Sequence, residues 1–242
     1  DAVGQDTEHG AVMKIGVLIE SNSGKVEKTL WGVLSLARHC ANNEVYALVL
    51  GESDDECREI LELYGVDKIV EIHAPEQHLN RFPELQADAL AHAMNVFCLD
   101  ALLGVTDPFG KDMLARTASF KAAPLVLDCL DIDLALGLAV KSHFSGKTTA
   151  TIRLNARPWF LGLRPNVFPA RPDPRKAEIL IFNALVRSAK RLVIHAVPPN
   201  AKNEPDISAA EIIISGGHPI GSVDNFRILR ECAAVLGAAV GA

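Results

Sequence analysis

From Lys14 to Leu130 the sequence alternates short β-branched runs with stretches of helical periodicity, and this alternation leaves few architectures open. KIGVLI (14–19), VYALVL (45–50), KIVEI (68–72), ALLGV (101–105) and LVLDCL (125–130) each read as a strand buried on both faces. Between them, Val26, Leu30, Val33, Leu34 and Ala37 share one helical face. Ser53 and Glu56 have the spacing of a capping box, which predicts a second helix running to Gly65. Pro83 opens a third, with Leu85, Ala89, Ala93 and Phe97 as its apolar stripe. Such repeats predict βαβ units and an α/β fold with a mostly parallel, doubly wound sheet covered on both sides.

Beyond Leu130 the texture changes. LGLAVKSHFSGKTTATIRL holds two β-rich runs about Ser145-Gly146 with no helix between them, which predicts an antiparallel hairpin at the sheet edge. Gly146-Lys147-Thr148 is not a phosphate-binding P-loop, because position 141 is lysine where that motif needs glycine and the following segment is strand-like. PARPDP (169–174) reads as an extended spacer, and AEILIF and RLVIHAV as further strand candidates. The Ser/Gly loop SNSGK (21–25) suits either a nucleotide contact or an ordinary strand-to-helix turn.

The stretch from Pro198 to Asp206, rich in proline, asparagine and charge, is the expected domain boundary. Residues 1–12 form an expected tag or loose arm, 13–200 the main domain, and 207–242 the start of a second. In that tail Ile212–Ile214 runs straight into Gly216-Gly217, as where a buried strand turns into a ligand-facing loop. Asp224 is placed to cap a helix whose face is Phe226, Leu229, Ala233 and Leu236, Gly237 supplies a left-handed stop, and Ala238–Val240 begins another strand. This is a βαβ half-site at the carboxyl ends of strands, where such sheets place ligands.

Composition excludes several classes. The chain is 49% hydrophobic and 22% charged with a net charge of −6, and no Lys/Arg cluster could track a phosphate backbone, so nucleic acid is not an expected partner. No apolar run reaches the roughly 18 to 20 residues that span a bilayer, so membrane insertion is not expected. The five cysteines lie alone in apolar segments and read as small buried side chains. His73, His78 and His92 lack the spacing of metal ligands, and no metal or catalytic residue is expected.

Three places together resemble the alpha subunit of electron-transfer flavoprotein. They are Phe109-Gly110-Lys111 with Leu114, Arg116, Ala123-Pro124 and Asp128; Leu163-Arg164-Pro165-Asn166-Val167-Phe168; and Ser215-Gly216-Gly217 with Asn225-Phe226 and the closing Ala239-Val240-Gly241-Ala242. Their order and spacing agree over nearly all of 14–242. The resemblance implies a first domain like the adenine-nucleotide alpha-hydrolases but without a reaction, and a second domain that carries FAD. It implies a heterodimer with a beta subunit, in which AMP is possible. Electrons would pass from acyl-CoA or other dehydrogenases, as in fatty acid beta-oxidation, to a downstream acceptor. The setting would be the bacterial cytoplasm, or the mitochondrial matrix in a eukaryote.

Gly216, Gly217 and His218 are then the cofactor-binding candidates, and Arg116, Arg164 and Asp128 candidates for interface or structural roles. Two departures stand out. His218-Pro219 replaces the family's Arg-Gly, and the segments carrying most flavin contacts in the family would lie past Ala242, so this chain is expected to be truncated and to lack stoichiometric FAD. Two other readings stay open. One is a PP-loop or adenylating protein, suggested by SGG at a strand end although His218–Ser222 lacks the acidic residue that chemistry wants; the other is a non-catalytic docking module.

Overall fold

The computed structural model describes residues 12–20, 26–39, 43–74, 79, 82–187, 207 and 210–241. The chain divides into two compact units, Asp1–Leu192 and Val193–Ala242. The expected linker 198–206, the SNSGK loop, Cys40, His78 and the strand candidate RLVIHAV lie outside the described residues.

In the first unit the elements follow the predicted alternation: β1 (Lys14–Ile19), α1 (Lys28–Arg38), β2 (Glu44–Leu50), α2 (Asp55–Leu63), β3 (Lys68–His73), α3 (Pro83–Val96), β4 (Ala101–Val105), α4 (Pro108–Lys121) and β5 (Leu125–Asp133). The hairpin β6 (Leu138–His143) and β7 (Thr148–Arg153) comes next, then β8 (Trp159–Leu163) and β9 (Glu178–Asn183). They form one nine-stranded sheet in the order β7-β6-β5-β8-β4-β1-β2-β3-β9. It is parallel from β5 to β9 and antiparallel only through β5-β6-β7. The hairpin lies at the edge, as its sequence predicts.

Both faces of the central strands are apolar because helices cover both. Ile15, Val17 and Ile19 of β1 pack with Leu30, Leu34 and Leu61 from α1 and α2, while Leu18 joins Leu85, Leu90 and Leu114 from α3 and α4 on the other face. Leu34 and Leu90 are wholly buried, each worth about 2 kcal/mol of transfer free energy. The chain reverses its order of strand addition between β1 and β4, so the carboxyl edge there is the sheet's topological switch point.

Several local expectations are corrected. Ser53 does not cap α2: its hydroxyl donates to Glu71 Oε1 at 2.5 Å, and Asp54, one residue on, accepts from Cys57 N at 2.8 Å. β8 is a full parallel strand between β4 and β5, longer than the strand end visible at Leu163. Cys57 and Cys129 are buried as expected, and burial pushes their thiols up to about 11 and about 12, but Cys98 and Cys232 are exposed.

The second unit contains β10 (Ile213–Ser215), a single 3-10 turn (His218–Ile220), α5 (Phe226–Leu236) and β11 (Ala239–Gly241). β10 and β11 are parallel, with Ile213 opposite Ala239 and Ser215 opposite Gly241. Gly237 is left-handed at φ +64°, the predicted helix stop. Asp224 is not the cap of α5. Asn225 occupies that position without a side-chain cap bond and donates its amide to Ile220 O at 2.7 Å instead. Leu236, expected on the inner face of α5, is 52% exposed, and Ile228 and Val235 are exposed as well.

Candidate functional site

Two places hold all the candidate residues but Arg116, one in each unit. In the first, β5 is interrupted by a bulge at Asp128, whose φ of +65° is left-handed. Arg164, just past the end of β8, grips the Asp128 carboxylate with both arms of its guanidinium, Nε to Oδ1 at 2.8 Å and Nη2 to Oδ2 at 2.5 Å. The Asp128 N–H donates to the Thr106 hydroxyl at 3.2 Å, and Arg164 N donates to Cys129 O at 3.0 Å. The Arg164 guanidinium holds the Asp128 carboxyl below the usual carboxylate range against partial desolvation. Asp128, Arg164 and Thr106 thus form one clasp that fixes the bulge, bidentate and therefore specific for arginine. Both charged side chains are more than a third exposed, so Arg164→Lys is expected to cost only about 1 kcal/mol. In a melting experiment that is a fall in Tm of about 3 °C.

Arg116 is not part of that clasp. It pairs with Asp112 one turn earlier on α4, Nε to Oδ1 at 2.7 Å, on the exposed face of the helix. The start of α4 is built with more care. Asp107 caps it, accepting from Gly110 N at 2.6 Å, and Pro108 occupies the first turn. Gly110 sits so close to the end of β4 that a Cβ there would overlap the Val105 carbonyl oxygen. The Phe109-Gly110-Lys111 motif therefore has a packing reason at its centre.

In the second unit Gly216 and Gly217 follow β10, and their surroundings differ. Gly216 N donates to Gly241 O at 3.0 Å, and a Cβ at 216 would collide with the side chains of Ile220 and Leu229 and crowd the Phe226 ring. A Cβ at Gly217 would meet only Pro219 Cδ, at 3.6 Å, which is ordinary contact, and its φ of −97° suits any residue. Both Gly216 and Gly217, with His218, Gly221, Ser222, Val223 and Phe226, line an open cavity of about 590 Å³. The His218 side chain starts the 3-10 turn and is exposed. Among the described residues no group of three His, Cys, Asp or Glu side chains is placed to hold a metal ion. His73 ends β3 and His92 lies on α3.

The model of the electron transfer flavoprotein domain matches residues 15–186, which is the parallel sheet, its helices and the edge hairpin together. The chain belongs to the electron transfer flavoprotein family. Among its relatives is the electron transfer flavoprotein subunit alpha of Thermoanaerobacterium thermosaccharolyticum, 29% identical over 238 residues that cover 94% of this chain and 72% of the relative. The protein FixB of Azorhizobium caulinodans is 28% identical over 97% of this chain and 67% of its own length. The electron transfer flavoprotein subunit alpha of Bacillus subtilis is 26% identical over 95% and 71%. Within the family the chain is thus of the alpha-subunit kind, and these alignments take in both units.

Seen as a family member, the chain has three motif glycines with separate physical reasons. Gly110 admits α4 to the end of β4, Gly216 admits α5 to the end of β10, and Gly217 has no packing role. Asn225-Phe226, also part of the resemblance, closes the second site from below: the amide ties down the 3-10 turn and the ring packs on Gly216. Sequence reasoning overlooked Thr106, Asp107 and Ser222. Asp107-Pro108 carried a usable signal, since Asp followed by Pro is a helix start; a lone threonine at a strand end and a lone serine in a turn carried none.

Proposed function

We propose that this chain is the alpha-type subunit of a flavin electron carrier, in which the nine-stranded unit is a scaffold and the second unit supplies one edge of an FAD site. The observation that carries the reading is Gly217: at the carboxyl end of a parallel strand, facing an open cavity, it lacks a side chain that the fold would accept. Backbone N–H groups that a ligand can approach, next to an imidazole and a hydroxyl, fit the anionic and polar edges of a dinucleotide. Gly217, His218 and Ser222 would hold that edge. FAD, when bound, supplies the reversible uptake and release of electrons that side chains cannot.

His218 stands where the family has arginine. An imidazole has two ring nitrogens where a guanidinium presents a fork of five N–H donors, so it orients a ligand oxygen through fewer hydrogen bonds. Asp107, which follows β4, and Asp128, at the β5 bulge, are taken up by α4 and Arg164, which supports a scaffold rather than a reaction centre in the first unit. On this reading the chain pairs with a beta-type subunit, in which AMP is possible, and passes electrons from acyl-CoA or other dehydrogenases to a downstream acceptor in the bacterial cytoplasm.

The test is to produce the chain together with a family beta subunit and to titrate the complex with FAD, following flavin absorbance and fluorescence. FAD uptake by the complex is expected to be substoichiometric, and Gly217→Val to weaken it by at least about tenfold, while far-ultraviolet circular dichroism and Tm stay as in the parent. Parental FAD affinity in the Gly217→Val complex would remove the second unit from the flavin site.

A further inference from the structure

The parallel ladder between β3 and β9 ends where Ala184 N donates to His73 O at 2.7 Å. The chain does not leave the domain there. Residues 184–187 continue extended along α3, and helix side chains take over from strand carbonyls as acceptors. Leu185 N donates to His92 Nδ1 at 2.9 Å, and Arg187 N donates to Asp88 Oδ2 at 2.8 Å. Residues 88 and 92 stand one turn apart, about 6 Å along a helix axis. Residues 185 and 187 are two apart in an extended chain, about 6.6 Å. The two spacings match, so one helix face imitates the edge of a strand. Ala184 is buried, Val186 packs inward on the core, and the Arg187 guanidinium lies 5.1 Å over the Phe120 ring while reaching Asp88 Oδ1 at 3.2 Å.

The chemistry of the first rung is one-sided. A backbone N–H only donates, so Nδ1 of His92 must be the lone-pair nitrogen and the ring proton must sit on Nε2. A proton added at Nδ1 would point at the Leu185 N–H, and two donors cannot share a hydrogen bond. The ring, tilted against Phe182 with centroids 5.1 Å apart, has no in-plane lone pair left to offer once it is protonated. Of the charged and titratable groups on the packed elements, Asp88 of the same helix pairs with Arg187, Glu84 acts on Arg187 as well, His73 at the end of β3 accepts from Ala184 N through its carbonyl, and Lys121 of α4 is hydrogen-bonded to Asn95 further along α3. β9 faces it with uncharged Phe182. A cationic His92 draws the Asp88 carboxylate toward itself, one turn away, in competition with Arg187, so the second rung weakens with the first.

We propose that His92 is a proton-operated latch: its neutral imidazole holds residues 184–187 on α3, and its protonation releases them from the helix. The latch is independent of the flavin reading, since its parts all lie in the first unit.

Amide exchange of Leu185 and Arg187 in the 242-residue protein, read by NMR from about pH 8 to about pH 5 and corrected for intrinsic exchange chemistry, tests it. The imidazole nitrogens should show the proton on Nε2 at high pH, and protection of both amides should fall about tenfold as the ring charges, the equivalent of one modest hydrogen bond. His92→Asn places a non-titrating acceptor where Nδ1 stands and should keep both amides protected across the range. His92→Phe keeps the ring against Phe182 without an acceptor and should leave Leu185 unprotected at every pH, with β1 amides reporting any general loss of stability. A neutral ring protonated on Nδ1, or equal protection of Leu185 at pH 5 in the parent and in His92→Asn, would overturn the latch.

Discussion

Replacing Gly110 by alanine is expected to destabilise the first unit by about 3 kcal/mol, at the upper end of what overpacking usually costs. Intrinsic propensity argues the opposite way, since alanine gains about 1 kcal/mol over glycine inside a helix. Packing wins because the obstacle is backbone. The added Cβ would overlap the Val105 carbonyl oxygen, which belongs to a central strand paired on both sides and cannot retreat. The helix must move instead, and moving it pulls Gly110 N away from Asp107 Oδ1, so the cap is lost along with the fit. Urea unfolding should show a lower midpoint with an unchanged slope, and Tm should fall by about 9 °C. Gly110→Ala as stable as the parent would mean that α4 is free to slide, and the packing account of the FGK motif would fail.

The periodic parts of this fold could be read directly from the sequence. β1, β2, β3 and β4 and their intervening helices follow from apolar runs and stripes because burial on two faces leaves little choice of residue. What could not be read depends on partners far away in sequence. Ser53 has the spacing of a cap, yet Glu71 eighteen positions later claims its hydroxyl, and the cap passes to Asp54. WFLGL is five apolar residues after a run of turns, too short to announce that it slots between β4 and β5. Gly216 and Gly217 look alike in the sequence. They differ in the structure because Ile220, Phe226 and Leu229 converge on one and not on the other. Arg164 and Asp128 were legible as candidates, but their fork needed a bulge that no local pattern announces. Cys98 and Cys232 went the wrong way because an apolar neighbourhood in sequence does not fix which way a helix end or outer face points.

Glu71 governs the second large effect, one that depends on pH. Its carboxylate lies within β3, 5% exposed, where a charge is costly unless it is bonded. Oε1 receives Ser53 N at 3.0 Å, the Ser53 hydroxyl at 2.5 Å and Arg58 Nη2 at 3.0 Å, while Arg58 Nε also reaches the Ser53 hydroxyl at 2.9 Å. Burial pushes the carboxyl up, but the Ser53 hydroxyl and N–H and the Arg58 guanidinium together outweigh it and hold it below the usual carboxylate range. Glu71→Ala leaves a buried N–H, a hydroxyl and a half-buried guanidinium without their acceptor, and is expected to cost about 3 kcal/mol, at the low end for a broken buried pair because Arg58 can still turn to Asp55. A group held lower in the folded state than in the unfolded one leaves the unfolded chain with more bound protons as acid is added, so stability rises with pH across that window. The Glu71 contribution is therefore complete above the unfolded value, about 4.3, and drains away as pH falls through the folded one. Glu44 and Asp128, also held low, titrate in the same direction, so the informative quantity is a difference. Glu71→Gln should be less stable than the parent at pH 7, and the gap should narrow as urea midpoints are measured at successively lower pH toward about 3. A gap that stays constant from neutral pH into acid would show that the carboxylate's charge contributes nothing and that only its shape holds the loop between β2 and α2.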